Sequence, residues 1–92
     1  MSPKPPASET NLPPEDWSPA EVLAALNKQG LNLARLARSL GVKPTTAYQV
    51  LRLPYPKMER AIAEAIGVPP ETIWPRRYLR RELLRRAQEL AA

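Results

Sequence analysis

Apolar positions in this chain recur at spacings of three and four, and no stretch alternates as a half-buried strand would. The three glycines, Gly30, Gly41 and Gly67, all fall at segment ends. Ser18-Pro19-Ala20-Glu21 is a helix-start signal. The Ser18 hydroxyl can accept from the Glu21 amide, the Glu21 carboxylate can reach back, and Pro19 sits where its missing N–H costs nothing. Val22, Leu23 and Leu26 then form one face of a helix ending near Gln29, with Gly30 as its stop. Asn32 caps a second helix, with Leu33, Leu36, Ala37 and Leu40 on one side and Arg35 and Arg38 opposite. Gly41 closes it. Pro44 opens a third helix, Pro44–Arg52, with Ala47, Val50 and Leu51 inward. Its outer face is centred on Thr45, Gln49 and Arg52 and flanked by Thr46 and Tyr48.

The break "LPYP" at Leu53–Pro56 precedes a fourth helix striped by Met58, Ile62, Ala65 and Ile66 and stopped by Gly67. "VPPETIWP" reads as a short helical turn that pushes Val68, Ile73 and Trp74 inward. From Arg76 a sixth, mostly exposed helix follows. The expected core is Val22, Leu26, Leu36, Leu40, Val50, Ile62, Ile66, Ile73 and Trp74. Trp17 and Trp74, beside proline-framed apolar clusters, read as packing residues, and Tyr55 as a loop residue over the core. The fold class is therefore all-α. Its parts are a Pro-rich arm over 1–15, a five-helix domain over 16–75 and a basic amphipathic helix over 76–92.

A helix stopped at a glycine and restarted at once makes two helices cross steeply, which is helix-turn-helix geometry. Ala37 provides the small residue where the backbones approach, and Gly41 the tolerance of positive φ that the turn needs. Val42, Ala47 and Val50 complete the inner wedge. The third helix is then free to project its outer face, and such a helix fits a DNA major groove. Gln49 can both donate and accept, as adenine requires, and Arg52 can donate to guanine or phosphate. Thr45 and Thr46 sit at the helix start, where a phosphate or a thymine methyl can be met, and Lys43 is placed to meet phosphate. Tyr48 offers an apolar surface with a hydroxyl, and Arg35 and Arg38 face the DNA backbone.

Charge strengthens this picture. The chain has 92 residues and a net charge of +5. Residues 1–16 hold one Lys and three acids, whereas residues 76–92 hold six Arg and two Glu. A basic body with a more basic end favours a polyanionic partner. Five of the twelve prolines lie in the first fourteen residues, which are nearly devoid of large apolar side chains, so the arm is expected to be disordered. No apolar run follows Lys4, and no run approaches the roughly 20 apolar residues of a membrane span, so neither a signal peptide nor a membrane partner is expected. There is no Cys and no His. Disulfides and thiolate metal sites are thereby excluded, and the commonest metal ligand and general base are missing. No convergent catalytic pair stands out. The expectation is a cytoplasmic, nucleoid-associated protein that is not an enzyme, without catalytic residues, cofactor, metal or small-molecule substrate.

The last segment, "RRYLRRELLRRAQELAA", carries an apolar stripe of Leu79, Leu83, Ala87 and Leu90, widened by Leu84 and Ala91. Arg85–Glu89 and Glu82–Arg86 are favourable i,i+4 pairs, but Arg76–Arg80, Arg77–Arg81 and Arg81–Arg85 are like-charge pairs at the same spacing, each unfavourable by a few tenths of a kcal/mol. A helix so composed needs outside support. A second copy of the stripe or phosphates along one side could supply it, which reads as a dimerisation helix with an arginine edge toward the DNA backbone; the alternative is a frayed, solvated tail or a helix folded back on its own domain. A protein–protein adaptor built on the leucine stripe is the alternative to DNA binding, and salt-dependent DNA binding separates the two.

"DWSPAEVLAALNKQGLNLARLARSLGVKPTTAYQVL" followed by "PKMERAIAEAIGVPPETIWPRRY" resembles the Ner family of small phage DNA-binding regulators and its bacterial Nlp relatives. The resemblance runs from Asp16 to Tyr78, and its selective parts are Asp16-Trp17, Pro44-Thr45-Thr46 and Ile73–Tyr78. It implies a lambda-repressor-like helical fold and a repressor of early phage transcription, with a Nlp-like activator as the alternative. It further implies an operator in double-stranded DNA and binding as dimers or paired monomers, leaving open a homodimer through the C-terminal helix or pairing on DNA. Thr45, Thr46, Gln49 and Arg52 are the positions it would turn toward DNA. The long Pro-rich arm and the helix beyond Tyr78 depart from the family pattern.

Overall fold

The computed structural model describes residues 12–91, and every regular element among them is helical. In chain order these are α1 (Pro19–Lys28), α2 (Leu33–Ser39), α3 (Pro44–Ala47, running into a 3-10 turn over Tyr48–Leu51), α4 (Pro56–Ile66), α5 (Pro70–Ile73) and α6 (Pro75–Ala91). Local chemistry sets their ends. At α1 the Ser18 hydroxyl accepts from the Glu21 amide at 3.2 Å and the Ser18 amide donates to Glu21 Oε1 at 2.8 Å, closing the expected reciprocal cap. At α2 the Asn32 Oδ1 accepts from the Arg35 amide at 2.8 Å.

The core is one cluster drawn from every helix but the last. Val22 and Leu26 come from α1, Leu33 and Ala37 from α2, Ala47 and Val50 from the third segment, Met58, Ile62 and Ala63 from α4, and Ile73 and Trp74 from the α5 end. Three expected members, Leu36, Leu40 and Ile66, are only half-buried. On α2 the inward direction runs through Leu33 and Ala37 rather than Leu36 and Leu40. A helix face about 100° wide has two edges, and periodicity alone does not say which edge points at the centre. Trp17 packs half-buried against the cluster, while Trp74 is fully enclosed.

Two long-range ties join the start of the domain to its end. The Trp17 amide donates to the Ile73 carbonyl at 2.9 Å. Asp16 Oδ1 accepts from the Arg76 and Arg77 amides at 2.8 and 3.3 Å, capping α6 from sixty positions away. Most of the expected Pro-rich arm lies outside the described residues. Its last residues, Leu12–Glu15, run without regular structure beside α6, where Arg76 Nε donates to the Pro13 carbonyl at 3.1 Å.

The third helix differs from the expected Pro44–Arg52. Only Pro44–Ala47 is α-helical; Tyr48–Leu51 tightens to 3-10 geometry and Arg52 ends it. Pro54 disfavours helical geometry at Leu53, so the segment has no room to extend, and no side chain caps its N-terminal end. The last helix begins at Pro75, one residue earlier than expected, and none of its residues is buried.

Candidate nucleic-acid interface

Two backbone bonds close the turn between α2 and the third segment. The Gly41 amide donates to Arg38 O at 3.1 Å and the Val42 amide to Ala37 O at 2.8 Å. That pairing needs a left-handed residue between them, and Gly41 has φ of +72°. Inside the angle, Leu33, Ala37, Val42, Ala47 and Val50 are buried. Lys57 Nζ donates to the Leu40 carbonyl at 3.4 Å, placing a cation at the C-terminal end of α2.

The outer face is what this wedge leaves exposed. Thr45, Tyr48, Gln49 and Arg52 are exposed and line one shallow hollow of about 320 Å³ together with Pro19 and Leu51. Four of the eight candidate residues are therefore brought to one surface. Thr46 is half-buried and does not line the hollow. Arg35, Arg38 and Lys43 are exposed, on α2 and on the turn, outside it. Such a division would suit a duplex whose bases meet the hollow while its backbone meets cations on α2 and the turn.

One cluster behind this face is absent from the sequence reading. Glu59 of α4 is completely buried. Its Oε2 accepts from the Tyr55 amide at 2.7 Å and from Arg77 Nη1 at 3.3 Å, and Arg81 Nη2 lies 3.1 Å from each of its oxygens. Arg77 Nη1 also donates to the Val50 carbonyl at 2.8 Å, in the 3-10 turn that ends the third segment. Two rings cover these cations, with Arg77 5.0 Å from the Trp74 ring centre and Arg81 4.6 Å from that of Tyr78. Burial pushes the Glu59 carboxyl up, but the Tyr55 amide, the Tyr78 hydroxyl and Arg81 outweigh it and hold the carboxyl below its usual value. Tyr78 moves the other way, raised first by burial and then by its carboxylate neighbour. One signal in the sequence pointed here: Glu59 sits on the same stripe as Ile62, Ala63 and Ile66, where a lone carboxylate requires a partner.

Comparison with known proteins agrees with this geometry. The sequence pattern of the winged helix-turn-helix DNA-binding family matches residues 16–89. Among the described residues there is no strand from which a wing could be made. The chain is 49% identical over 67 residues to the Mu-like prophage FluMu DNA-binding protein Ner of Haemophilus influenzae, covering 73% of this chain and 75% of that one. It is 44% identical over 69 residues to the negative regulator of transcription of Escherichia phage Mu, covering 75% and 92%. The solution structure of the Mu Ner protein superposes with a TM-score of 0.61 at 46% identity, covering 68% of this chain and 85% of that one.

Proposed function

Because this chain belongs to the Ner family of helix-turn-helix DNA-binding proteins, we propose that it is a sequence-specific transcriptional repressor acting on a phage or prophage operator. The observation that carries the reading is the shared hollow of Thr45, Tyr48, Gln49 and Arg52 on the outer side of a closed helix-turn-helix. In this reading Gln49 and Arg52 meet base edges, and Thr45 and Thr46 meet the backbone at the start of the segment. Tyr48 offers its ring and hydroxyl at the same surface. Arg35, Arg38 and Lys43 hold phosphates around it. Residues 16–75 form the unit that docks on DNA, and the protein works in the cytoplasm of the host cell.

Pairing of two copies through α6 belongs to the same proposal. Leu83, Leu84 and Leu90 are exposed on that helix, an arrangement a second copy of the stripe would cover. Paired units would read two half-sites about one helical turn apart.

Two substitutions test the assigned roles in a gel-shift series. Gln49→Ala is expected to relax discrimination at one base pair by about 1–3 kcal/mol. Arg38→Ala is expected to weaken all duplexes alike and to flatten the salt slope by about one. Equal losses on every sequence from both variants contradict the assignment.

A further inference from the structure

A cleft of about 390 Å³ separates the end of the recognition segment from α6, and Arg52, Arg76, Arg77, Arg80 and Arg81 all line it. Asp16 is its one acidic lining residue, and its Oδ1 is occupied by the backbone amides of Arg76 and Arg77. The cations divide into two kinds. Arg77 and Arg81 are turned to the buried Glu59, at 3.3 and 3.1 Å. Arg52 and Arg80 are exposed, and their side chains form no ion pair among the described residues. Arg76 lies between these cases: its guanidinium stands 3.9 Å from the exposed Glu15 carboxylate, and its Nε donates to the Pro13 carbonyl.

Arg76 and Arg80 stand one helical turn apart, so each raises the cost of the other's charge. A concave surface with more guanidinium than carboxylate concentrates positive potential, and the planar guanidinium fork matches the oxygens of a phosphate. Arg52 lines this cleft and also the hollow that holds Thr45, Tyr48 and Gln49, so the two recesses adjoin. An anion seated in the cleft would lie beside whatever fills the hollow.

We propose that Arg80, with Arg76 beside it, binds one backbone phosphate of the duplex at the edge of the groove that the Thr45–Arg52 face enters. This rests on the DNA-binding reading and extends it: α6 becomes part of the contact surface, and Arg80 joins it as a residue that positions the protein without reading sequence. A bound phosphate would relieve, in the complex, the repulsion that Arg76 and Arg80 carry in the free protein.

The test uses the full chain and fluorescence anisotropy on labelled duplexes between 0.05 and 0.3 M salt. Arg80→Gln removes one charge at an exposed position, and Arg85→Gln removes the same charge further along α6, where Arg85 is paired with Glu82 and Glu89. Losing one phosphate contact flattens the slope of log K against log[salt] by about 0.9, which corresponds to roughly fivefold weaker binding at 0.15 M salt and roughly fifteenfold at 0.05 M. Arg80→Gln is expected to show this on every duplex alike, and Arg85→Gln to leave the slope unchanged. A scan with single neutral methylphosphonates should then find one flanking position that weakens the unsubstituted chain but not Arg80→Gln. An unchanged slope for Arg80→Gln, an equal effect of Arg85→Gln, or no coupled methylphosphonate position overturns the proposal. Salt-independent binding by the unsubstituted chain would instead remove the DNA-binding reading itself.

Discussion

Glu59→Gln is the substitution on which the structure speaks most sharply. It keeps size and shape and keeps an oxygen for the Tyr55 amide, but removes the charge facing Arg77 and Arg81. The two arginines respond differently. The Arg81 side chain is 35% exposed and can turn to water, so its share of the loss is small. The Arg77 side chain is 9% exposed and held between the Trp74 ring and the Val50 carbonyl, so its charge stays buried without a counter-ion. Breaking a buried pair by removing one partner costs about 3–5 kcal/mol. The lower end applies here, because half of the arrangement relaxes into solvent.

A loss of about 3 kcal/mol in a domain this small lowers the melting temperature by roughly 12–24 °C. Urea unfolding followed by the fluorescence of the buried Trp74 and by helical circular dichroism measures it. A cycle with Arg77→Met isolates the pair: the double variant should be less destabilised than the two single losses added together, with a coupling of about 0.5–3 kcal/mol. If Glu59→Gln loses less than about 1 kcal/mol, as an exposed ion pair would, then the cluster does not hold α6 in the way described.

Three further outcomes follow from the same geometry. Because the folded Glu59 carboxyl titrates below the usual 4.5, its stabilisation is present above that value and is lost as pH falls through the lower folded-state value. The stability gap between the unsubstituted chain and Glu59→Gln should therefore narrow below pH 4.5, and a constant gap down to pH 3 speaks against it. A Cβ added at Gly41 meets nothing within 4 Å, so Gly41→Ala should cost only the left-handed backbone, about 1–2 kcal/mol, with Gly41→Asn milder in thermal unfolding. Truncation after Tyr78 removes Leu83, Leu84 and Leu90 together with Arg80, and is expected to weaken operator binding and lower the oligomeric state in sedimentation; if neither changes, α6 is not the pairing element.

What the sequence disclosed was chemistry that acts over one helical turn. The Ser18–Glu21 cap, the Asn32 cap and the Gly41 turn are all bonds between residues three to five apart, and each forms as its residue types require. The helix-turn-helix and its exposed polar face follow from those bonds plus two apolar stripes. Choosing between Leu33 and Leu36 as the inward side of α2 depended on where α4 lies, which periodicity does not contain. The shortened third helix is a similar case, because Ala47 and Val50 must reach the core while Pro54 fixes where the segment ends. Farthest from view were the contacts that join distant parts: Asp16 on the start of α6, and Arg77 and Arg81 on Glu59, eighteen and twenty-two positions away. Their side chains look like ordinary surface charges until the fold brings them together.

These distant contacts bear on the shape of the outer face as well as on stability. Four α-helical residues and a 3-10 turn are far too few to be stable alone, so the face holding Thr45, Gln49 and Arg52 takes its shape from what lies behind it. Part of that support is apolar, through Ala47 and Val50. The rest is Arg77, whose guanidinium binds the Val50 carbonyl and the Glu59 carboxylate from one nitrogen. Lysine could carry the same charge but not the planar fork that meets carbonyl, carboxylate and ring together. The group that fastens α6 to the domain is thus also the group that finishes the Pro44–Leu51 segment, and a loosened α6 would blur the face that holds Thr45, Gln49 and Arg52.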